Sequence, residues 1–210
     1  MVLAENTVLT FTEIKQNMNT WNNIRKNAAA VKPYFQGETY FDFNPIINIF
    51  DSSLSFHFYP AVSGNQFMLY IIDKEMDKLS VYLENPIAFI EKIRVANLVQ
   101  IVSDDILSGI SRGEARQRIK DWTDHHNTYI NENAAAGNIF LAFENPPLNI
   151  HNNGELRGFF GLYQDNNTGP WKADILLKDS GDEYYNTVRP VPPFGQGGGN
   201  EFFLLAATIA

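Results

Sequence analysis

Thr10-Phe11-Thr12-Glu13-Ile14-Lys15-Gln16-Asn17-Met18-Asn19-Thr20-Trp21 and, 101 residues later, Ser111-Arg112-Gly113-Glu114-Ala115-Arg116-Gln117-Arg118-Ile119-Lys120-Asp121-Trp122 decide how this chain is read. Each stretch opens on a hydroxyl residue followed three positions later by Glu. That is the spacing of a capping box, in which hydroxyl and carboxylate satisfy the free backbone donors at a helix start. Behind each cap runs an apolar stripe at helical spacing. It reads Ile14, Met18, Trp21, Ile24 in the first stretch and Ala115, Ile119, Trp122, His125, Tyr129 in the second. The register returns downstream, where Asn44-Pro45 and Ile47-Asn48-Ile49 face Asn145-Pro146 and Leu148-Asn149-Ile150. A capping signal, a Trp and an Asn-Pro turn in one register predict a tandem duplication.

Both helices need a surface to lie on, and the sequence supplies strands for it. Leu54 to Phe58 alternates at period two, Pro60 to Asn65 reads as a turn, and Phe67 to Ile72 resumes as a second strand. The later copy reads Leu156-Arg157-Gly158-Phe159-Phe160-Gly161-Leu162, a turn through Asp165 to Pro170, then Trp171 to Leu177. A shorter aromatic stretch precedes each hairpin, at Thr39 to Phe43 and Ile139 to Phe143, and each ends at Asn-Pro. The expected fold is α+β: two helix-plus-antiparallel-hairpin units related by a pseudo-twofold axis. Their strands combine into one mixed sheet or two packed small sheets, with helices on one side. The first unit spans residues 8–83 and the second 108–210, packed as one body around a helical connector at 84–107. In that connector Asn85-Pro86 reads as an N-cap with Pro at the first helical position, followed by Ile87, Ile90 and Ile93. Asp104 to Ser108 reads as a further helical turn. The Pro- and Gly-rich run from Arg189 to Gly199 reads as an extended tail, and Glu201 to Ile209 as a buried terminal strand.

Composition narrows the classes of function. A chain of 210 residues with 44% hydrophobic and 19% charged residues has enough apolar material for a core. Its net charge of −8 argues against nucleic acid as a partner, because phosphate neutralisation needs clustered Lys and Arg. The one basic stretch, Arg112 to Lys120, is interrupted by Glu114 and reads as a solvated helix face. The absence of Cys removes disulfides, thiol catalysis and thiolate metal sites. Met1 to Gln16 lacks a basic stretch followed by an apolar one, and Phe202 to Ala210 is too short to cross a membrane. The default expectation is a soluble, cytoplasmic protein that engages no membrane.

Residues 108–194 are similar to a family of uncharacterised bacterial proteins. The likeness rests on the capped Trp-containing helix, the Leu156 to Gly161 hairpin strand and the Pro192-Pro193-Phe194 tail. The resemblance implies no activity and no catalytic residue.

The most catalytic-looking cluster is Asp121, Asp124, His125 and His126. Asp121 and His125 stand one turn apart on a helix, which can place two ligands on one metal. Further ligands would have to come from His57, His151 or Glu155. Against that, His125 occupies the place of Ile24 on the apolar stripe, where a core histidine is expected. His57 lies between Phe56 and Phe58, so it should face away from the core, toward solvent or a partner surface. Ser52, Ser53 and Ser55 lie near it, but no Gly-x-Ser-x-Gly elbow exists. Gly195 to Gly199 lacks the context of a phosphate loop, and Asn166-Asn167-Thr168 reads as a hairpin turn. Aromatic residues make up 13% of the chain, and an excess left at the surface would mark a binding face. The expectation is therefore a non-enzymatic binding or assembly protein without cofactor. Tyr34, Tyr40, His57 and Tyr184 are its candidate binding residues, in a groove between repeats or on an aromatic surface. The alternative is a metal-assisted hydrolase centred on Asp121 and His125. The partner is left open among protein, peptide and small molecule, as is a homo-oligomer.

Overall fold

The computed structural model describes residues 9–49, 53–100, 113–145, 147, 155–164, 169–180, 184–191 and 202–209. Thr10 and Glu13 form the expected box: the Glu13 N–H donates to Thr10 Oγ1 at 3.2 Å and the Thr10 N–H to Glu13 Oε2 at 2.8 Å. They start helix α1 (Phe11–Ile24), which is followed by the short α2 (Ala28–Val31) and a 3₁₀ turn at Lys32–Phe35. The matching cap at Ser111 lies outside the described residues, and so do Leu148 to Ile150.

Eight antiparallel strands close into a barrel. In chain order they are β1 (Thr39–Asp42), β2 (Phe56–Ser63), β3 (Gln66–Asp73), β4 (Arg94–Gln100), β5 (Ala142–Asn145), β6 (Leu156–Tyr163), β7 (Lys172–Asp179) and β8 (Tyr184–Val191). Around the barrel the order is β1-β4-β3-β2-β5-β8-β7-β6, and β6 pairs back onto β1. The fold is α+β, and the sheet is wholly antiparallel and closed, in place of the expected mixed sheet or pair of sheets. Strands one to four and five to eight follow the same order, 1-4-3-2 and 5-8-7-6.

Period-two alternation explains the faces. Phe56, Phe58 and Val62 of β2, Phe67, Leu69 and Ile71 of β3, and Phe160, Leu162, Ile175 and Leu177 of β6 and β7 belong to the core enclosed by the strands. Phe35, Phe41, Phe43 and Phe143 complete it, so the barrel is packed with rings. Most of the aromatic excess is thus core and not a binding surface. The alternate residues of β2 and β3, including Tyr59, Ala61, Tyr70 and Ile72, form an outer cluster with Ile14 and Met18 of α1. Strand β2 runs through Pro60 to Ser63, where the sequence suggested a turn, and the reversal falls at Gly64-Asn65 with Gly64 at φ +57°. Pro60 is tolerated because β5 pairs with β2 only from Phe56 to Phe58, so its missing donor falls beyond that ladder.

Helix α5 (Gly113–Ala134) covers the second hairpin as α1 covers the first, with Ala115 and Ile119 packed on Phe159 and Leu176. Gly161 makes this approach possible: a Cβ there would lie 2.4 Å from Asp174 Oδ1 and 3.2 Å from Arg118 Cβ of α5. Facing the other way, Gly158 leaves room for the Phe43 ring, which a Cβ would meet at 2.4 Å. The buried stripe of α5 continues through Trp122, His126, Tyr129 and Ile130; His125 is exposed, against the expectation that it sits in the core. One turn of 3.6 residues beyond Trp122 lands nearer position 126 than 125, so the stripe takes His126.

Trp21 and Trp122 both insert into the main core, and Phe35 packs edge-on to each at 6.2 and 5.4 Å. Helix α3 (Leu79–Glu84) ends the first unit, and the connector opens with α4 (Pro86–Lys92), with Asn85 Oδ1 accepting from the Ala88 N–H as its cap. It then becomes β4 and not further helix. Phe89 is its most deeply buried anchor; of the expected isoleucine row Ile93 is buried, Ile90 is half-buried against the same cluster and Ile87 is exposed. The expected terminal strand is helix α6 (Phe203–Ile209), which packs on α1 and the outer face of β2. An apolar run of that length fits either element, and only the site it docks on chooses between them. Asp104 to Ser108, Asn166 to Thr168 and Pro192 to Gly199 lie outside the described residues. No helix among the described residues is long and apolar enough to cross a membrane.

Candidate functional site

At one rim of the barrel lies a cleft of about 500 Å³. Its walls come from Pro33 and Tyr34 of the 3₁₀ turn, Thr39 at the start of β1, Asn65 and Gln66 at the β2–β3 reversal, Phe67 beyond them, and Asn97 to Gln100 at the end of β4. Tight turns and strand ends meet here because β2, β3, β4 and β1 are neighbours in the barrel and alternate in direction. No lining residue carries a formal charge. The Gln66 Nε2 donates to the carbonyls of Phe67 and Leu98, both at 2.8 Å, so its amide is fixed and only its oxygen is left for a ligand. The Gln100 Nε2 donates to the Gln36 carbonyl at 3.2 Å. Asn65 and Asn97 are exposed, and no hydrogen bond within the described residues engages their side chains.

A second polar group sits on the outer face of β2. His57, Tyr59 and Asp77 are each 0% exposed. The His57 Nδ1 lies 2.7 Å from Asp77 Oδ2, and the Tyr59 hydroxyl donates to the same oxygen. Asp77 Oδ1 accepts from the Leu204 N–H at 2.9 Å, in the first turn of α6. A carboxylate only accepts, so the proton shared with His57 is carried on Nδ1. Phe202 stacks on the imidazole at 4.0 Å, and Nε2 is buried without a partner. Burial and the adjacent Asp77 charge raise the Tyr59 pKa well above its usual value, keeping that hydroxyl protonated. An Asp–His pair with a free Nε2 has the makings of a general base. Here a helix and an aromatic ring cover it, and the arrangement instead pins α6 to the barrel. His57 therefore faces neither solvent nor a partner.

The four candidate binding residues separate into three places. Tyr34 lines the cleft. Tyr40 and Tyr184 meet in the small cluster under α5, where the Arg157 guanidinium stands 5.1 Å over the Tyr40 ring. His57 is locked beneath α6. Asp121 and His125 do not join: Asp121 accepts from Gln117 Nε2 at 2.8 Å, and His125 stacks on Trp171 at 5.2 Å. Glu155 pairs with Arg157, and His151 lies outside the described residues. Among the described residues no three His, Asp or Glu side chains converge as metal ligands. The partners that sequence reading missed are Asp77, 20 residues from His57, and the amides of the cleft. Nothing local marks either; only strand pairing assembles them.

No family model, curated protein or solved structure matches the chain. The residues themselves therefore carry the functional reading.

Proposed function

We propose that this chain is a non-enzymatic binding protein whose small ligand occupies the rim cleft beside Tyr34. One observation carries the reading. Among the described residues the aromatic side chains are largely spent on the core, whereas the cleft keeps a partly exposed Tyr34 beside unengaged amides at Asn65 and Asn97. A concave wall with a few convergent polar groups is the usual form of a small-molecule site. The proposal takes the two halves as tandem copies of one unit, supported by their common strand order and by the tryptophans at matching places in α1 and α5. The resemblance of residues 108–194 to uncharacterised bacterial proteins assigns no competing activity.

A ¹⁵N-labelled sample titrated with mixtures of small uncharged and charged compounds tests this. Backbone shifts centred on Tyr34, Asn65 and Asn97 are expected, and Tyr34→Ala should abolish them while altering the ligand-free spectrum only around Phe67. Silence at these positions, or shifts concentrated elsewhere, would overturn the reading.

A further inference from the structure

Resting on the cleft as the binding site, we infer that its ligand is a neutral saccharide, and not a peptide or an anion. The chain carries 16 basic and 24 acidic residues, yet none of them lines the cleft. Phosphates and carboxylates are recognised by Lys and Arg, and ammonium groups by carboxylates, so the cleft is built for an uncharged ligand. Its polar wall consists of the carboxamides of Asn65, Gln66, Asn97 and Gln100 with the hydroxyls of Thr39 and Tyr34. A carboxamide presents donors and an acceptor in one plane, which matches sugar hydroxyls that donate and accept at once. Gln66 is held as an acceptor by its two internal bonds, while Asn65 and Asn97 keep all their bonding capacity.

The remaining walls are apolar. The half-buried Tyr34 ring and Val99, 38% exposed, line the cleft and give a surface for the C–H face of a pyranose ring. A peptide of comparable size would instead be captured by strand addition, and that needs a free sheet edge. Among the described residues the strand ends that wall the cleft are already paired with each other, Thr39 with Gln100 in the β1–β4 ladder and Asn97 with Met68 in the β3–β4 ladder. The tyrosine, the amides and the paired strand ends thus favour the same ligand class.

The test uses the full chain with three probes: neutral gluco- and chito-oligosaccharides, a galacturonate oligomer as the charged analogue, and an uncharged tetrapeptide. Saturation-transfer NMR and chemical-shift mapping read out binding. The expected result is binding of a neutral saccharide, with at least a tenfold loss in Tyr34→Ala and in Asn97→Asp, which adds a charge to the wall. Asn97 is exposed, so Asn97→Asp should keep the wild-type melting temperature, and because Tyr34 also packs against the core beside Phe67, its variant is read together with Asn97→Asp. Shifts at Tyr34 and Asn97 produced by the peptide or the uronate, but by no neutral sugar, would overturn the saccharide inference and leave the cleft as the site. No shifts in the cleft with any probe or with the broader mixture would overturn both.

Discussion

The outer faces of the two hairpins answer one packing problem in opposite ways. At the second and fourth positions of β2 stand His57 and Tyr59; at the same positions of β6 stand Arg157 and Phe159. In the first half a carboxylate brought by the β3–α3 connection is buried under α6, where it receives hydrogen bonds from a histidine, a tyrosine and a backbone N–H. In the second half the buried carboxylate belongs to the strand itself. Asp174 of β7 pairs with Arg118 of the covering helix at 2.6 Å, and its Oδ1 has no partner. A helix can therefore be seated on this barrel either by a many-donor polar knot or by a single ion pair. The knot satisfies its carboxylate better.

The sharpest way to break the contrast is Asp77→Ala. It strips partners from His57, Tyr59 and the first turn of α6 together, and buried groups left unpaired are costly. A loss of about 3–5 kcal/mol in denaturant unfolding is expected, with amide exchange accelerating first in α6. An unchanged stability would mean that the apolar contacts of α6 suffice to hold it.

Asp174 provides the second test. Burial outweighs the attraction of Arg118 and lifts its pKa to about 6, from 3.8 for the free side chain. A folded-state pKa above the unfolded one means the folded protein binds the proton more tightly. Its contribution is complete below about pH 4 and is lost as pH rises toward about 6, on the order of 2–3 kcal/mol in all. Asp174→Asn should flatten the stability profile across that window while leaving the first half unaffected. A slope that survives the substitution would move its origin to another group.

The smallest effect compares the two tryptophans. The Trp21 Nε1–H donates to the Phe140 carbonyl at 3.0 Å, whereas the Trp122 Nε1 is buried without a partner. Trp21→Phe should therefore cost about 0.5–1.5 kcal/mol more than Trp122→Phe, the worth of one hydrogen bond. Equal losses in thermal unfolding would show that ring packing alone sets the value of both positions.

What the sequence disclosed depends on how far apart the interacting groups lie. The Thr10–Glu13 cap, the Asn85 cap and the alternation of β2, β3, β6 and β7 are governed by neighbours within a few residues, and each is where local pattern places it. Barrel closure depends on the β2–β5 and β1–β6 pairings, which no local signal encodes. The burial of His57 is of the same kind. Its outward direction from Phe56 and Phe58 follows from period two, but α6 comes from the far end of the chain and fills the space expected for solvent. At the rim, Tyr34 is a candidate from the aromatic excess alone. Asn65 and Asn97 are unremarkable until β3 and β4 are paired.

The ring of strands has two seams between its halves, β2 with β5 and β6 with β1. Those ladders join only Phe56–Phe58 to Phe143–Asn145 and Phe41–Asp42 to Gly158–Arg157. During synthesis the first four strands emerge with both seam edges open; the β2 edge waits for β5, which ends at Asn145, and the β1 edge for β6, which ends at Tyr163. The chain thus passes through a stage in which its sheet has free margins matched to its own second half. That half is tethered and is favoured by its effective concentration, so another nascent chain competes for the margins only when such chains are crowded together. Growth conditions that crowd such half-made chains, or slow synthesis that prolongs the open stage, should raise the yield of interlocked pairs, and fast synthesis should favour barrels closed within one chain.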